Sequence, residues 1–100
     1  MVKHIKCNNE EHPISISYYA LTRLEEETGK GLTDLDENLG LYTSLFFYSL
    51  EAGYRAEKKI FDIKKEDIPF MLDECWLDFA SLMRDFITEL TEISQKKLKK

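Results

Sequence analysis

Residues 13–35 read PISISYYALTRLEEETGKGLTDL, and this stretch decides the fold. Ile14 and Ile16 alternate with Ser15, which is the period of an extended strand. Ser17 follows with a hydroxyl suited to accept from the free N–H groups at a helix start. Tyr18, Leu21 and Leu24, with Ala20 beside them, make one apolar face; Thr22, Arg23, Glu25 and Glu26 make the other. A helix over Tyr18–Thr28 is therefore predicted. Gly29 supplies the left-handed residue that ends a helix, and Gly31 adds a second break. Leu32-Thr33-Asp34-Leu35-Asp36 starts again, with Thr33 as cap, Asp36 at the N3 position of a short capping box, and Asp34 and Asp36 at the positive end of the helix dipole. This second helix is expected to end near Asn38–Gly40.

Upstream, residues 2–16 hold two short strands. Ile5 and Cys7 alternate with Lys6, and the polar, turn-prone Asn8–Pro13 separates them from Ile14 and Ile16. A lone hairpin is marginal in water, so this one must lean on the helices. Downstream, Leu41–Ala52 is apolar nearly all round: Leu41, Leu45, Tyr48 and Ala52 form one stripe, Tyr42, Phe46 and Leu50 a second, and Phe47 widens the arc. Such a helix is central to its domain, or spends a face on a partner. Gly53 is the expected stop. Tyr54–Phe61 reads as a polar connector with an apolar end. Ile63 and Ile68 suit a hydrophobic staple around the next helix start, placed between Lys64 and Asp67 so that Pro69 falls within the first turn. Leu72, Trp76, Phe79, Met83, Phe86, Leu90 and Ile93 alternate spacings of 4 and 3, a heptad-like seam. Asp73 is a second available cap, so residues 64–95 read as one helix or two. The expected fold is mainly α: a compact bundle of four to five helices with a short N-terminal β-hairpin. It forms one domain over 1–100, with the hairpin in 1–16, helices in 17–95 and a frayed Lys-rich tail in 96–100.

Composition narrows the function. One hundred residues, 43% hydrophobic and 33% charged, give one globular core without need of staples. The formal net charge is −5; four of the fourteen cations are Lys96, Lys97, Lys99 and Lys100, which leaves ten cations against nineteen acids, or −9, over residues 1–95. An acidic body repels nucleic-acid backbones and suits a protein partner with a basic or amphipathic segment. No apolar segment resembles a signal peptide, and the longest apolar run, Leu45–Tyr48, is far short of the ~20 residues of a membrane span. A soluble, cytoplasmic protein with reduced thiols is expected.

The sequence holds no catalytic constellation. His4, Cys7, His12 and Cys75 lack a second zinc-type pair and read as ordinary hairpin and core residues, so no metal or cofactor is expected. Cys75, between Glu74 and Trp76, has surroundings that raise a thiol pKa, which disfavours a nucleophile. The carboxylates alternate with apolar stripes and read as solvated faces. Gly29-x-Gly31 lacks the preceding strand and third glycine of a dinucleotide loop. The aromatics are more telling. Tyr18 with Tyr19, and Phe46-Phe47-Tyr48, turn consecutive rings around a helix and cannot all face one small core. Tyr18, Tyr19, Phe46, Phe47, Tyr54, Trp76 and Phe86 are the candidate partner-binding residues, since Tyr and Trp are enriched at interfaces.

The order of elements resembles a family. A hairpin leads into Tyr19, Ala20, Leu21, Leu24, Glu25, Glu26, Thr28, Gly29, Lys30 and Leu32; an apolar helix ends with Leu50, Ala52 and Gly53; then come Glu66, Asp67, Ile68, Leu72, Asp73 and Glu74. Over nearly the whole chain this pattern resembles the tail assembly chaperones of long-tailed bacteriophages and related prophages. The resemblance implies a non-enzymatic protein that binds the hydrophobic tape measure protein, keeps it soluble in the host cytoplasm, and hands it to polymerising tail tube protein. It also implies absence from the finished virion. Family members are also made in a longer, frameshifted form, for which the codons of Gln95–Lys100 are the place to look; a solvated lysine tail is the plainer meaning of that run. From a different class, a small self-associating helical adaptor using the Leu72–Ile93 seam remains the alternative.

Overall fold

The computed structural model describes residues 2–31 and 39–98, with side chains through residue 89. Strand β1 (Lys3–Cys7) pairs antiparallel with β2 (Glu10–Ile14), in register Lys3↔Ile14, Ile5↔His12 and Cys7↔Glu10. The turn is only Asn8-Asn9, both at positive φ (53° and 66°), the geometry of a two-residue hairpin loop whose twist matches the strands. The turn is therefore shorter than the Asn8–Pro13 segment read from composition, and β2 takes in Glu10–Pro13. Asparagine tolerates the left-handed region, which lets two residues do the work of six.

Helix α1 (Tyr18–Thr28) has the predicted bounds. Ser17 is extended and its Oγ accepts from the Ala20 N–H at 3.4 Å; Gly29 stands at φ 72° and donates its N–H to the Glu25 carbonyl. The second helix expected from Thr33 falls on residues 32–38, outside the described residues.

Helix α2 (Leu39–Ala56) runs past the expected stop. Gly53 is buried within it, and its role is spatial. A Cβ there would sit 2.4 Å from the Pro13 carbonyl oxygen and 2.5 Å from the Ile14 nitrogen. Glycine lets the helix press directly on the β2 backbone, where the Ser15 N–H also donates to the Ser49 carbonyl at 2.9 Å. The actual stop is Lys58 at φ 58°. Lys59 N–H donates to the Tyr54 carbonyl and Lys58 N–H to the Arg55 carbonyl, the paired bonds of a Schellman motif with lysine where glycine is usual.

A single 3-10 turn (Lys65–Asp67) leads into α3 (Ile68–Leu98), so the start and Pro69 fall where expected. The two readings of residues 64–95 resolve into one helix with a kink at Cys75 (φ −127°, ψ 22°). Among the described residues there are thus three α-helices, in place of a bundle of four to five. Their arrangement makes α2 central: it touches α1, β2 and α3, while β1 lies against α3. Phe46 and Phe79 meet edge-on, centroids 4.8 Å apart, in a core completed by Ile14, Leu24, Leu45, Leu50 and Ile68. The buried stripe of α3 is Ile68, Leu72, Cys75, Phe79 and Met83. The kink puts Cys75 inward and leaves its neighbour Trp76, a member of the expected seam, 38% exposed. No helix of the described residues is long and apolar enough to cross a membrane.

Candidate partner-binding surface

The seven aromatic candidates part into three groups. Phe46 is 0% exposed and belongs wholly to the core, so it has no surface to offer. The sequence reading placed it outward because it follows the ring count around α2; packing instead takes Phe46 in and leaves Phe47 at the edge. Tyr19, Phe47 and Tyr54 are partly buried and held by neighbours. The Tyr19 hydroxyl donates to Glu51 at 2.7 Å beneath the Arg55 guanidinium; Phe47 lies edge-on to Tyr48 and Phe61; the Tyr54 hydroxyl meets His12 Nδ1 at 2.7 Å. Burial pushes the Tyr19 and Tyr54 hydroxyls above their ordinary pKa, with Glu51 adding to the effect at Tyr19 and Asp62 and Glu10 at Tyr54. These rings are structural first. Tyr18, Trp76 and Phe86 reach the surface. Tyr18 is 86% exposed, Trp76 stands edge-on against Tyr42, and Phe86 helps line a groove of about 100 Å³ with Lys3, Ile14, Ile16, Leu82 and Glu89.

Two features escaped the sequence. One is a polar hub on α1: the Glu27 carboxylate accepts from Ser44 Oγ at 2.9 Å and from the Tyr48 hydroxyl, and pairs with Lys65. Burial acts to raise the Glu27 pKa, but the bonds from Lys65, Tyr48 and Ser44 outweigh it and hold the carboxylate below its usual range. Burial, then the Glu27 carboxylate, push Tyr48 up to about 12. Lys65 also lies over the Phe47 and Tyr48 rings. The hub ties α1, α2 and the entry to α3 together, and as a run of three glutamates it looked like a solvated face. Serine and tyrosine on α2 at i and i+4 are the signal that two donors face one acceptor.

The other is the outer face of α3. Phe70 is 72% exposed and Leu77 82% exposed. They stand seven residues apart, off the buried stripe, with the exposed Asp73 and Glu74 between them. Leu77 follows Trp76 of the expected seam, but its position on the wheel puts it on the far side. In the heptad pattern a pair such as Phe70 and Leu77 is itself a one-heptad repeat, which is the signal available in sequence. From Ile68 to Glu89 the helix carries five acids and the single cation Arg84.

Among the described residues, no group of three or more His, Cys, Asp or Glu side chains could hold a metal ion. Compared with protein-family models, with curated proteins and with solved structures, the chain gives no match.

Proposed function

We propose that this chain is a tail assembly chaperone of the long-tailed phage type, a binding protein without catalytic activity. The observation that carries the reading is the outer face of α3, where Phe70 and Leu77 stand exposed with Asp73 and Glu74 between them. Large exposed apolar side chains on a small domain mark interaction sites, and acids beside them favour a basic amphipathic partner helix. Tyr18 and Trp76 supply further apolar surface. The order of sequence elements that resembles the chaperone family supplies the identity of the partner: the tape measure protein, with tail tube protein meeting the complex as it polymerises. On this reading the protein works in the host cytoplasm and is absent from the mature virion. The test is co-expression with the tape measure protein that this reading expects to be encoded beside it. The expected result is a soluble complex that copurifies; unchanged insolubility of that protein, with no complex, overturns the reading.

The α3 surface also bears on the alternative, a small self-associating adaptor. That alternative uses the Leu72–Ile93 seam, of which Leu72, Phe79 and Met83 are buried in this protein's own core, so among the described residues Trp76 and Phe86 are the seam residues left to meet a second copy. Light scattering across a concentration series separates the two: a concentration-dependent oligomer that breaks on Trp76→Ser favours the adaptor.

A further inference from the structure

One pair of buried side chains is left without a part in that surface. Cys7 ends β1 and Cys75 sits at the kink of α3, 68 residues later in the chain. Both are free thiols, both are 2% exposed, and their Sγ atoms lie 2.6 Å apart. A disulfide needs about 2.05 Å and two side chains aimed at each other from separate backbone segments. Cys75 is also the non-helical residue within α3, and its Sγ lies 3.1 Å from the Met71 carbonyl oxygen. Helix distortion and thiol apposition therefore coincide at one residue. Cys7 has a route to solvent as well: it lines an open cleft of about 310 Å³ with His12, Asp62, Asp67 and Met71, whereas Cys75 does not line it.

We propose that Cys7 and Cys75 form a modification site, oxidised by hydrogen peroxide to an intramolecular disulfide that ties β1 to α3. Cys7, the thiol on the cleft, reacts first. Its thiolate, having lost a proton, attacks one peroxide oxygen; the O–O bond breaks, Cys7 becomes a sulfenic acid, and the departing hydroxide takes that proton to leave as water. The Cys75 sulfur then attacks the Cys7 sulfur. The S–S bond forms, the S–O bond breaks, and the second hydroxide leaves as water with the Cys75 proton. The two thiols lose two electrons and two protons, and one peroxide becomes two waters. Burial raises both thiols, and the Asp78 and Glu74 charges add to it; the hydrogen bond between the sulfurs partly offsets the rise at Cys7 and increases it at Cys75. The same order follows from access to the cleft. A raised thiol pKa slows the first step. Glu10, Asp62 and Asp67 around the cleft make a small neutral peroxide a better oxidant than an anionic disulfide such as oxidised glutathione. This proposal is independent of the partner-binding reading.

The experiment uses the purified, reduced full chain, incubated with hydrogen peroxide and then alkylated. The expected product is a monomer lighter by the mass of two hydrogens, resistant to alkylation, whose peptide map joins the Cys7 segment to the Cys75 segment. Its melting temperature should exceed that of the reduced form by several degrees and return on reduction, because the cross-link closes a long loop in the unfolded chain. Cys75→Ser should lose the stabilisation and leave a sulfenic acid at Cys7 that a dimedone-type reagent traps. Disulfides found only between chains, two thiols still open to alkylation in the unfolded chain after treatment, or an oxidised form no more stable than the reduced one would overturn the proposal. The wild-type peptide map decides the matter even if the serine variant fails to fold. An equal or faster reaction with oxidised glutathione would overturn the choice of oxidant.

Discussion

The α1–α2 interface and the outer face of α3 spend their side chains in opposite ways. Between α1 and α2, polar groups are paired: Glu27 gathers Ser44, Tyr48 and Lys65, Tyr19 donates to Glu51, and Arg55 lies over the Tyr19 ring. On α3 beyond the buried stripe, apolar groups are left in water and the acids beside them carry no ion pair among the described residues: Phe70 and Leu77 are exposed, and Asp73 and Glu74 lie between them. A small domain gains stability by pairing and burying such groups. One side of this molecule does so and another does not, which separates the part that holds the fold from the part free to meet something else.

The largest expected effect breaks the first region at its closest packing. Gly53→Ala should cost about 3 kcal/mol or more in urea unfolding, because the added Cβ meets β2 backbone that has no flexible end to move aside. A cost near 1 kcal/mol, as for a simple helix stop, would contradict the spatial role assigned to this glycine. Phe79→Ala should be of the same order, at about 3–5 kcal/mol, since its ring is fully buried against Phe46.

Tyr48→Phe should cost about 1–2 kcal/mol at neutral pH by removing a donor from the Glu27 hub. Its pH signature is more specific. The Tyr48 pKa is raised in the folded state, so its contribution is complete below the ordinary tyrosine value of about 10 and is lost as pH rises towards about 12. Tyr48→Phe should flatten part of that alkaline decline in a stability–pH curve, with Tyr19 and Tyr54 accounting for what is left. Glu27 has the opposite sign. Its pKa is lowered on folding, so its contribution is present above the usual carboxylate range and is lost as pH falls through the lowered value.

Local devices were the legible part of this sequence. Ser17, Tyr18–Thr28 and Gly29 signal through nearest neighbours, and structure and sequence agree there. Pro69 fixed the start of α3 for the same reason, since proline is admitted only to a first turn. Long-range packing was not legible. Gly53 looked like a stop because glycine after an apolar helix usually is one, yet the cause is a strand 40 residues upstream. Two helices or one at Asp73 turned on a kink two residues away, at Cys75, which meets Cys7 of a distant strand. The aromatic count foresaw surplus rings, and Phe46 shows why it misassigned one: consecutive residues differ by a third of a turn, and which third faces inward depends on Phe79 of another helix. Glu27 needed Ser44, Tyr48 and Lys65 brought from elsewhere in the chain.

Smaller in size is Ser49→Ala. The Ser49 hydroxyl is buried with no hydrogen-bond partner among the described residues, so its removal should leave stability unchanged or raise it by up to about 1 kcal/mol in thermal melts. A clear loss would show that the hydroxyl is satisfied in solution.

The smallest expected effect on stability carries the greatest weight for function. Phe70→Ser combined with Leu77→Ser removes two exposed apolar side chains and should shift the unfolding free energy by no more than about 0.5 kcal/mol for each site. The direct measurement is copurification of this double variant with the proposed partner, a tape measure protein, alongside its thermal melt. A melt like that of the wild type with the complex lost is the predicted result. A complex that forms undiminished would contradict the assignment of this face to partner binding.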